Sequence, residues 1–450
     1  MIPSNIFNYC ERKIVTWLAI VFFAAGGGAR ADAPALSALT ECQPRAGLPN
    51  FFSKLAAGGE VRIAYFGGSI TEQTGWRGLS LGWFRTNYPH ARVSEINAAI
   101  SGTGGELGVC RIDGDVLAHD PDLVFVEFAV NGIGDTMQRS VRSIEGIVRK
   151  IWRHNPATDI CFVYTLSEWQ LNSLKQGKIQ STAAVMERVA EHYSIPSINF
   201  GVEVARLEQG GKLLFKAEKN SPASKGKIIF SGDGVHPYAD TGHPLYLAAL
   251  VRSVPQLKAT GIAGPHTLAL PVDADNWENS RCVPLAKISP DADWTALNPL
   301  EIPGCSANGT SGAARNYPAR FAQVWKATKP GASLAFRFNG TGFGIFGVSL
   351  LEVGRFSVQV DDHPPVTGTF FDRYLASNGG RAWTWFYPGD LPAGEHHVRI
   401  ELLAESPDKV GILRAAGEKL PPAEQLQGIA EYFGDLLVAG EIQKNKLQPK

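Results

Sequence analysis

The sequence predicts an α/β domain built on a parallel sheet, followed by a β-sandwich, and three observations predict it. From Val61 to about Val251, short β-rich runs alternate with segments of helical periodicity, the pattern of βαβ units with helices on both faces of a parallel sheet. Leu123–Val130 is nearly continuous apolar sequence, as a central strand covered on both faces must be. Beyond about Pro318 the pattern changes to short alternating strands with regular turns, which means a sandwich, here of jelly-roll type.

The elements follow in order. Arg12 and Lys13 precede a largely apolar run from Ile14 to Ala25, and Ala29-Arg30-Ala31 fits a small-x-small cleavage site. Residues 1–31 are therefore expected to be a signal peptide of an exported protein, periplasmic or extracellular, whose mature chain starts at Asp32. The alternative is an uncleaved anchor, but the run is short of the roughly 20 residues that span a bilayer. The α/β domain is expected over residues 32–253. Its strands are Val61–Phe66, Arg92–Asn97, Leu123–Val130, Asp159–Thr165 and Ile195–Asn199. Trp76–Asn87, Leu107–Ala118, Val141–His154 and Ile179–His192 are its helices.

Residues 254–318 are rich in turn residues and are expected to connect the domains. Their aromatic and apolar side chains (Trp277, Val283, Leu285, Trp294) predict a segment packed between the domains, not a free linker. The sandwich spans residues 319–440, and residues 441–450 form a tail. Its strands are expected at Ser333–Phe338, Gly342–Phe346, Arg355–Val360, Trp383–Tyr387, His396–Leu402 and Phe433–Val438, with Asn339-Gly340 as a turn.

Composition excludes some functions. The 450 residues carry 43 Lys+Arg and 43 Asp+Glu, so no basic excess points to nucleic acid or an anionic membrane. Of the six cysteines, Cys10 leaves with the signal. An odd set stays behind, in which Cys282 and Cys305 are the best disulfide pair and Cys161 is a buried thiol. No CxxC or Cys/His cluster offers a zinc site, and no metal or cofactor is implied.

Gly67-Gly68-Ser69-Ile70-Thr71 follows the first strand and precedes a helical segment. Ser69 is thereby set on a strand-to-helix turn at the carboxyl edge of the sheet, where such folds bind ligands. Gly and Ser favour turns anyway, so the run is weak evidence alone. A serine nucleophile needs a base, which is most naturally an imidazole, and the imidazole needs a carboxylate to fix its tautomer. Asp233-Gly234-Val235-His236-Pro237 offers both within one tight loop. His243, His119 and His154 are rival bases. The first, however, starts an apolar helix where it would cap or pack, and the others end helices, where an imidazole meets the dipole favourably. Oxyanion donors are supplied by Gly102, after the second strand, and by Asn131, after the central one. Glu127 lies in the apolar central strand, where a carboxylate must be paired or protonated. Ion pairing with an arginine such as Arg77 or Arg111 is expected ahead of a role in shaping the site.

Together these four pieces resemble the SGNH (GDSL-like) hydrolase superfamily over about Val61–Val251. Its first block is similar to Gly68-Ser69-Ile70-Thr71, its second to Gly102, its third to Asn131 and its last to Asp233-Gly234-Val235-His236-Pro237. The resemblance implies a flavodoxin-like three-layer α/β/α domain, a Ser69, Asp233 and His236 triad, and an oxyanion hole from Ser69, Gly102 and Asn131. Two positions depart from the family pattern. Gly68 and Gly132 stand where the family often has aspartate, before the nucleophile and after the Asn. A looser resemblance, to bacterial exported SGNH proteins acting on polysaccharides, rests on Phe125-Val126-Glu127-Phe128-Ala129-Val130-Asn131 and the trailing sandwich. The expectation is a carbohydrate esterase that removes O-acetyl groups through an acyl-enzyme, with an acylated carbohydrate or other small ester as partner. Three alternatives stand beside it: an O-acetyltransferase to sugars, a lipase or thioesterase, and a non-catalytic glycan-binding protein.

Overall fold

The computed structural model describes residues 39–132, 136–288, 290–305 and 317–443. The expected signal peptide, residues 306–316 of the expected connection and the end of the tail lie outside the described residues. The first domain runs β1 (Cys42–Gln43), α1 (Pro49–Ala57), β2 (Glu60–Gly67), α2 (Ser69–Glu72), α3 (Trp76–Asn87), β3 (Arg92–Asn97), α4 (Gly105–Asp115) and β4 (Leu123–Glu127). It continues with α5 (Met137–His154), β5 (Asp159–Tyr164), α6 (Glu168–Lys175), α7 (Ser181–His192), β6 (Ser197–Asn199) and α8 (Gly201–Gln209). A parallel pair, β7 (Leu213–Lys216) and β8 (Ile228–Ser231), and helix α9 (His243–Ala259) complete it.

The main sheet has strand order β1-β6-β5-β4-β2-β3, parallel except for the antiparallel edge strand β1. Its parallel strands thus follow the flavodoxin-like order, whose switch point lies where β3 and β4 flank β2. Side chains alternate across each strand and build two cores. Val61, Ile63 and Tyr65 of β2 join Phe125 and Val163 under α1, α3, α6, α8 and α9. Ala64 and Phe66 turn the other way, with Val124, Val126 and Phe162, under α4, α5 and α7. Full burial of a side chain such as Phe125 or Ile63 contributes roughly 1.5–3 kcal/mol. The central strand stops at Glu127, three residues earlier than its apolar run suggests, because β5 pairs with it only as far as Val126. Phe128–Val130 are buried beyond the sheet edge.

The second domain is an antiparallel sheet that folds over its own core. Its elements are β9 (Ser280–Pro284), β10 (Trp294–Leu297), β11 (Val324–Ala327), β12 (Ser333–Ser349), β13 (Phe356–Val360), β14 (Val366–Gly368), α10 (Leu375–Asn378), β15 (Arg381–Phe386), β16 (Gly394–Leu402), α11 (Lys409–Ala415) and β17 (Glu431–Gln443). Asn339-Gly340 is not a turn. Strand β12 runs straight through it, pairing β16 with its first half and β15 with its second, and β17 lies along its other side. The sequence marks a bulge instead, between Gly340 and Gly342, where a side chain at Gly340 would collide with the Ala439 carbonyl.

Two strands of this sheet come from the segment expected to be a connection: β9 pairs with β17, and β10 with β11. The rest of that segment lies along α5, where Gly146 lets the Trp277 backbone approach and Arg142 O accepts from the Trp277 N–H at 3.0 Å. Trp277, Val283, Leu285 and Trp294 are buried in one cluster with α4 and α5. The Cys282–Cys305 disulfide does not form: Cys42, Cys110, Cys161, Cys282 and Cys305 are all free thiols. Cys282 is held in β9 opposite Leu437, while Cys305 follows the Pro299–Glu301 turn. Cys161 is fully buried in β5, as expected.

Candidate active site

Strand β2 ends at Gly67, and the chain turns at once into the short helix α2, whose first residue is Ser69. The β3–α4 loop carries Gly102 and the segment after β4 carries Asn131, so all three positions lie at the carboxyl edge around the switch point. The Asp233–His236 turn reaches the same edge from behind β8. His236 Nε2 lies 2.9 Å from Ser69 Oγ, and His236 Nδ1 lies 2.6 Å from Asp233 Oδ2. The sequence-predicted Ser, His and Asp therefore form one continuous hydrogen-bonded chain.

The turn is built to keep its carboxylate charged. Asp233 Oδ1 accepts from the backbone N–H groups of Val235 and His236, each at 2.8 Å, and from Ser231 Oγ at 2.9 Å. Partial burial opposes the charge, but the His236 ring and these N–H donors hold the carboxyl well below the usual carboxylate range. Gly234, at φ 86°, occupies the left-handed region the turn requires.

Gly102 also has a left-handed backbone, at φ 75°. Among the described residues, no hydrogen bond engages the N–H of Ser69 or of Gly102. Asn131 Nδ2 donates to Thr103 O at 3.0 Å, and an amide carries a second N–H beyond the one so used. A methyl group at Gly68 would run into Asn131 Nδ2, far inside van der Waals contact. Glycine before the candidate nucleophile, a departure from the family pattern, is thus what admits the Asn131 amide beside it. Gly132, the other departure, has φ 107°, which few other residues adopt.

Glu127 has neither expected arginine as partner. Arg77 pairs with Glu95, and Arg111 with Asp115 at 2.7 Å. Glu127 instead accepts from Thr71 Oγ1 at 2.9 Å and Thr165 Oγ1 at 2.7 Å, and from the backbone of Ala129 and Gly68. It thereby ties the turn that bears Ser69 to the segment that leads to Asn131. Burial pushes its carboxyl up to about 7, against the opposing pull of those hydrogen bonds. The rival bases stand apart from the chain of contacts. His243 is buried at the start of α9, where burial and then the neighbouring His236 lower its pKa to about 4. Its neutral ring accepts the Trp76 N–H at Nδ1, 3.1 Å away. His154 pairs with Asp120 at 3.0 Å at the end of α5, and His119 ends the turn before β4.

Several residues at the site escaped the sequence reading. Glu72, in the last position of α2, accepts the Ser101 N–H at 3.0 Å and also the Ser101 hydroxyl. Arg381 and Trp383 of β15 approach Gly102: a Cβ there would lie 3.5 Å from Arg381 Nη1 and 3.6 Å from the Trp383 ring. The Arg381 guanidinium stacks on that indole at 3.7 Å and pairs with Asp372. A carboxylate one turn beyond the candidate serine was the visible signal for Glu72. Nothing in the local sequence marks β15 as a neighbour of Gly102. Among the described residues, no group of three His, Cys, Asp or Glu side chains is arranged to hold a metal.

Residues 65–241 match the GDSL-like Lipase/Acylhydrolase family. The chain carries an SGNH-type ester-hydrolase domain. No curated protein matches the chain significantly. The crystal structure of a two-domain esterase (CEX) active on acetylated mannans, co-crystallized with mannopentaose, matches with a TM-score of 0.65 at 19% identity, covering 88% of this chain and 96% of that one. A second CEX crystal structure matches with a TM-score of 0.62 at 20% identity, over 87% of this chain and 94% of that one. This likeness is one of fold, and it extends beyond the SGNH domain to most of the chain.

Proposed function

We propose that the protein is an exported carbohydrate esterase that removes O-acetyl groups through an acyl-enzyme on Ser69. The hydrogen-bonded chain Ser69–His236–Asp233, at 2.9 and 2.6 Å, carries the reading. In this mechanism His236 Nε2 takes the Ser69 proton as Oγ bonds to the ester carbonyl carbon. The negative charge then gathers on the carbonyl oxygen, where the N–H groups of Ser69 and Gly102 and the second Asn131 N–H can donate to it. Collapse expels the sugar alkoxide, which takes the proton from His236, and leaves acetyl on Oγ. Water, deprotonated by His236, attacks that acyl group, and acetate departs as Oγ recovers the proton. Asp233, held ionised, stabilises the imidazolium at both stages and fixes the tautomer with Nε2 facing serine.

A sugar ester as substrate is supported by the fold-level likeness to an esterase named as active on acetylated mannans. The test is acetate release from a panel of acetylated polysaccharides, compared with p-nitrophenyl esters of rising chain length, with Ser69→Ala as control. Acetate release that Ser69→Ala abolishes is expected. Preference for long acyl chains would remove the carbohydrate reading, and full activity in Ser69→Ala would remove the acyl-enzyme.

A further inference from the structure

The loop from Asn97 to Thr103 connects β3 to α4 and presents Gly102 to the candidate serine. Its first half is tied to the sheet: Ala98 N–H donates to Tyr65 O and Ile100 N–H to Gly67 O, both at 3.0 Å. Arg111 Nη1 of α4 adds a bond to Ala98 O at 2.5 Å. The second half, next to Gly102, is fastened differently. Ser101 gives both its N–H and its hydroxyl to Glu72 Oε2. The other oxygen of that carboxylate faces Arg320, with Oε1 to Nη2 at 3.5 Å. Arg320 lies between the sandwich's Tyr317–Ala319 turn and β11. It is largely buried, and its Nε has no hydrogen-bond partner among the described residues.

We propose that Arg320 is a positioning residue for the oxyanion hole: it holds Glu72, and through Glu72 and Ser101 it fixes the direction of the Gly102 N–H. The second domain is then part of the catalytic machinery without touching the ester. This rests on the reading of Ser69 and Gly102 above. Among the described residues, the charges near Arg320 are Glu72, Asp115 and the cation Arg111, which itself pairs with Asp115. Glu72 lies within pairing distance of it. Burial of the guanidinium works against its charge, so the pair matters more than an exposed one would. Removing Arg320 takes away one anchor of the Glu72 carboxylate, and with it part of the hold on Ser101. A donor N–H displaced by a fraction of an ångström loses much of its transition-state bond, while the bound ground state loses little.

The experiment is a double-mutant cycle on the full chain with p-nitrophenyl acetate, a substrate too small to reach a distant sugar subsite. Arg320→Met keeps the apolar stem and removes the charge; Glu72→Gln keeps an acceptor for Ser101 and removes the charge. Each single variant should lower kcat about tenfold at nearly constant KM. The double variant should be no worse than the poorer single one, and Arg320→Lys should recover most of the activity. Equal kcat in Arg320→Met and wild type, or losses that multiply in the double variant, overturns the proposal. Were Arg320→Met not to fold, Arg320→Gln would carry the same cycle with the same two outcomes. Ser69→Ala measured in parallel separates the two failures. If it is inactive while the cycle shows no coupling, only the positioning role falls; if it is active, the underlying reading falls.

Discussion

Replacing Glu127 with glutamine tests the buried carboxylate under the turn that bears Ser69, because the two side chains have one shape and only one titrates. Glu127 is raised from an ordinary 4.5 to about 7 in the folded protein. An acid raised in this way keeps its proton in the folded state while the unfolded chain loses it. Its contribution to stability is therefore complete below about pH 4.5 and is lost progressively as pH rises to about 7. That rise corresponds to about 3 kcal/mol in total, of which about 2–3 kcal/mol falls between pH 5 and pH 8. Asp435 is raised too, by burial in the sandwich, but it titrates alike in both proteins and cancels in a comparison. Urea unfolding of wild type and Glu127→Gln at pH 5 and pH 8 supplies the numbers. The wild type should lose about 2–3 kcal/mol more than the variant across that interval. At pH 5 the variant should be the less stable, because the backbone donors at Gly68 and Ala129 would meet an amide where they had a carboxyl. Identical pH dependence in the two proteins would refute the reasoning, and would mean that Glu127 is ionised at pH 5 with its charge already satisfied.

His236→Ala should abolish turnover more completely than Asp233→Asn, since the ring moves the proton and the carboxylate only orients it; kcat on p-nitrophenyl acetate decides, and a reversed order would assign the base elsewhere. Gly68→Ala should fold and lower kcat about 10²–10³-fold at similar KM, matching Asn131→Ala, because its methyl expels the Asn131 amide. Unchanged kcat would take Asn131 out of the oxyanion hole. Truncation after Ala259 should give insoluble or inactive protein, as judged by soluble yield and acetate release, since it uncovers the apolar face of α4 and α5.

The α/β domain was legible because each of its layers repeats one rule. The strands Arg92–Asn97 and helix Trp76–Asn87 carry the expected bounds, since hydrophobic period and turn residues agree there. That Ser69, His236 and Asp233 would meet was legible because the chemistry proposed for them demands particular residue types at strand ends. Glu127 was misread for the opposite reason. Its partners, Thr71 and Thr165, lie far apart in sequence, and hydroxyls leave no charge pattern to search for. Asn339-Gly340 misled because the same dipeptide serves a tight turn and a bulge, and only the partner strand distinguishes them. Strands β9 and β10 were hidden by brevity: a five- or four-residue strand among turn residues has too few alternations to register.

Helix α5 shows why the second domain could not be read as an attachment. Its polar face, rich in arginine and lysine, looks like a solvated surface in the sequence. In the structure, Arg142 binds Asp273 at 2.9 Å and Asp275 at 3.2 Å, and Arg149 binds Glu278 at 2.8 Å. Lys150 donates to Ser280 O at 2.7 Å, and Arg139 to Tyr387 O at 2.6 Å. Glu145, on the same helix and fully buried, accepts the N–H groups of Val272 and Asp273, at 2.5 and 2.9 Å, and the Tyr193 hydroxyl. A buried carboxylate deprived of such donors costs several kcal/mol, so the face of α5 is satisfied only when the 269–278 segment lies on it. That segment leads directly into β9, and β9 into the sheet whose strand β15 lies against Gly102. Charge satisfaction on α5 therefore fixes where the sandwich stands, and where it stands brings Arg320 to Glu72 and Arg381 to the loop beside the serine.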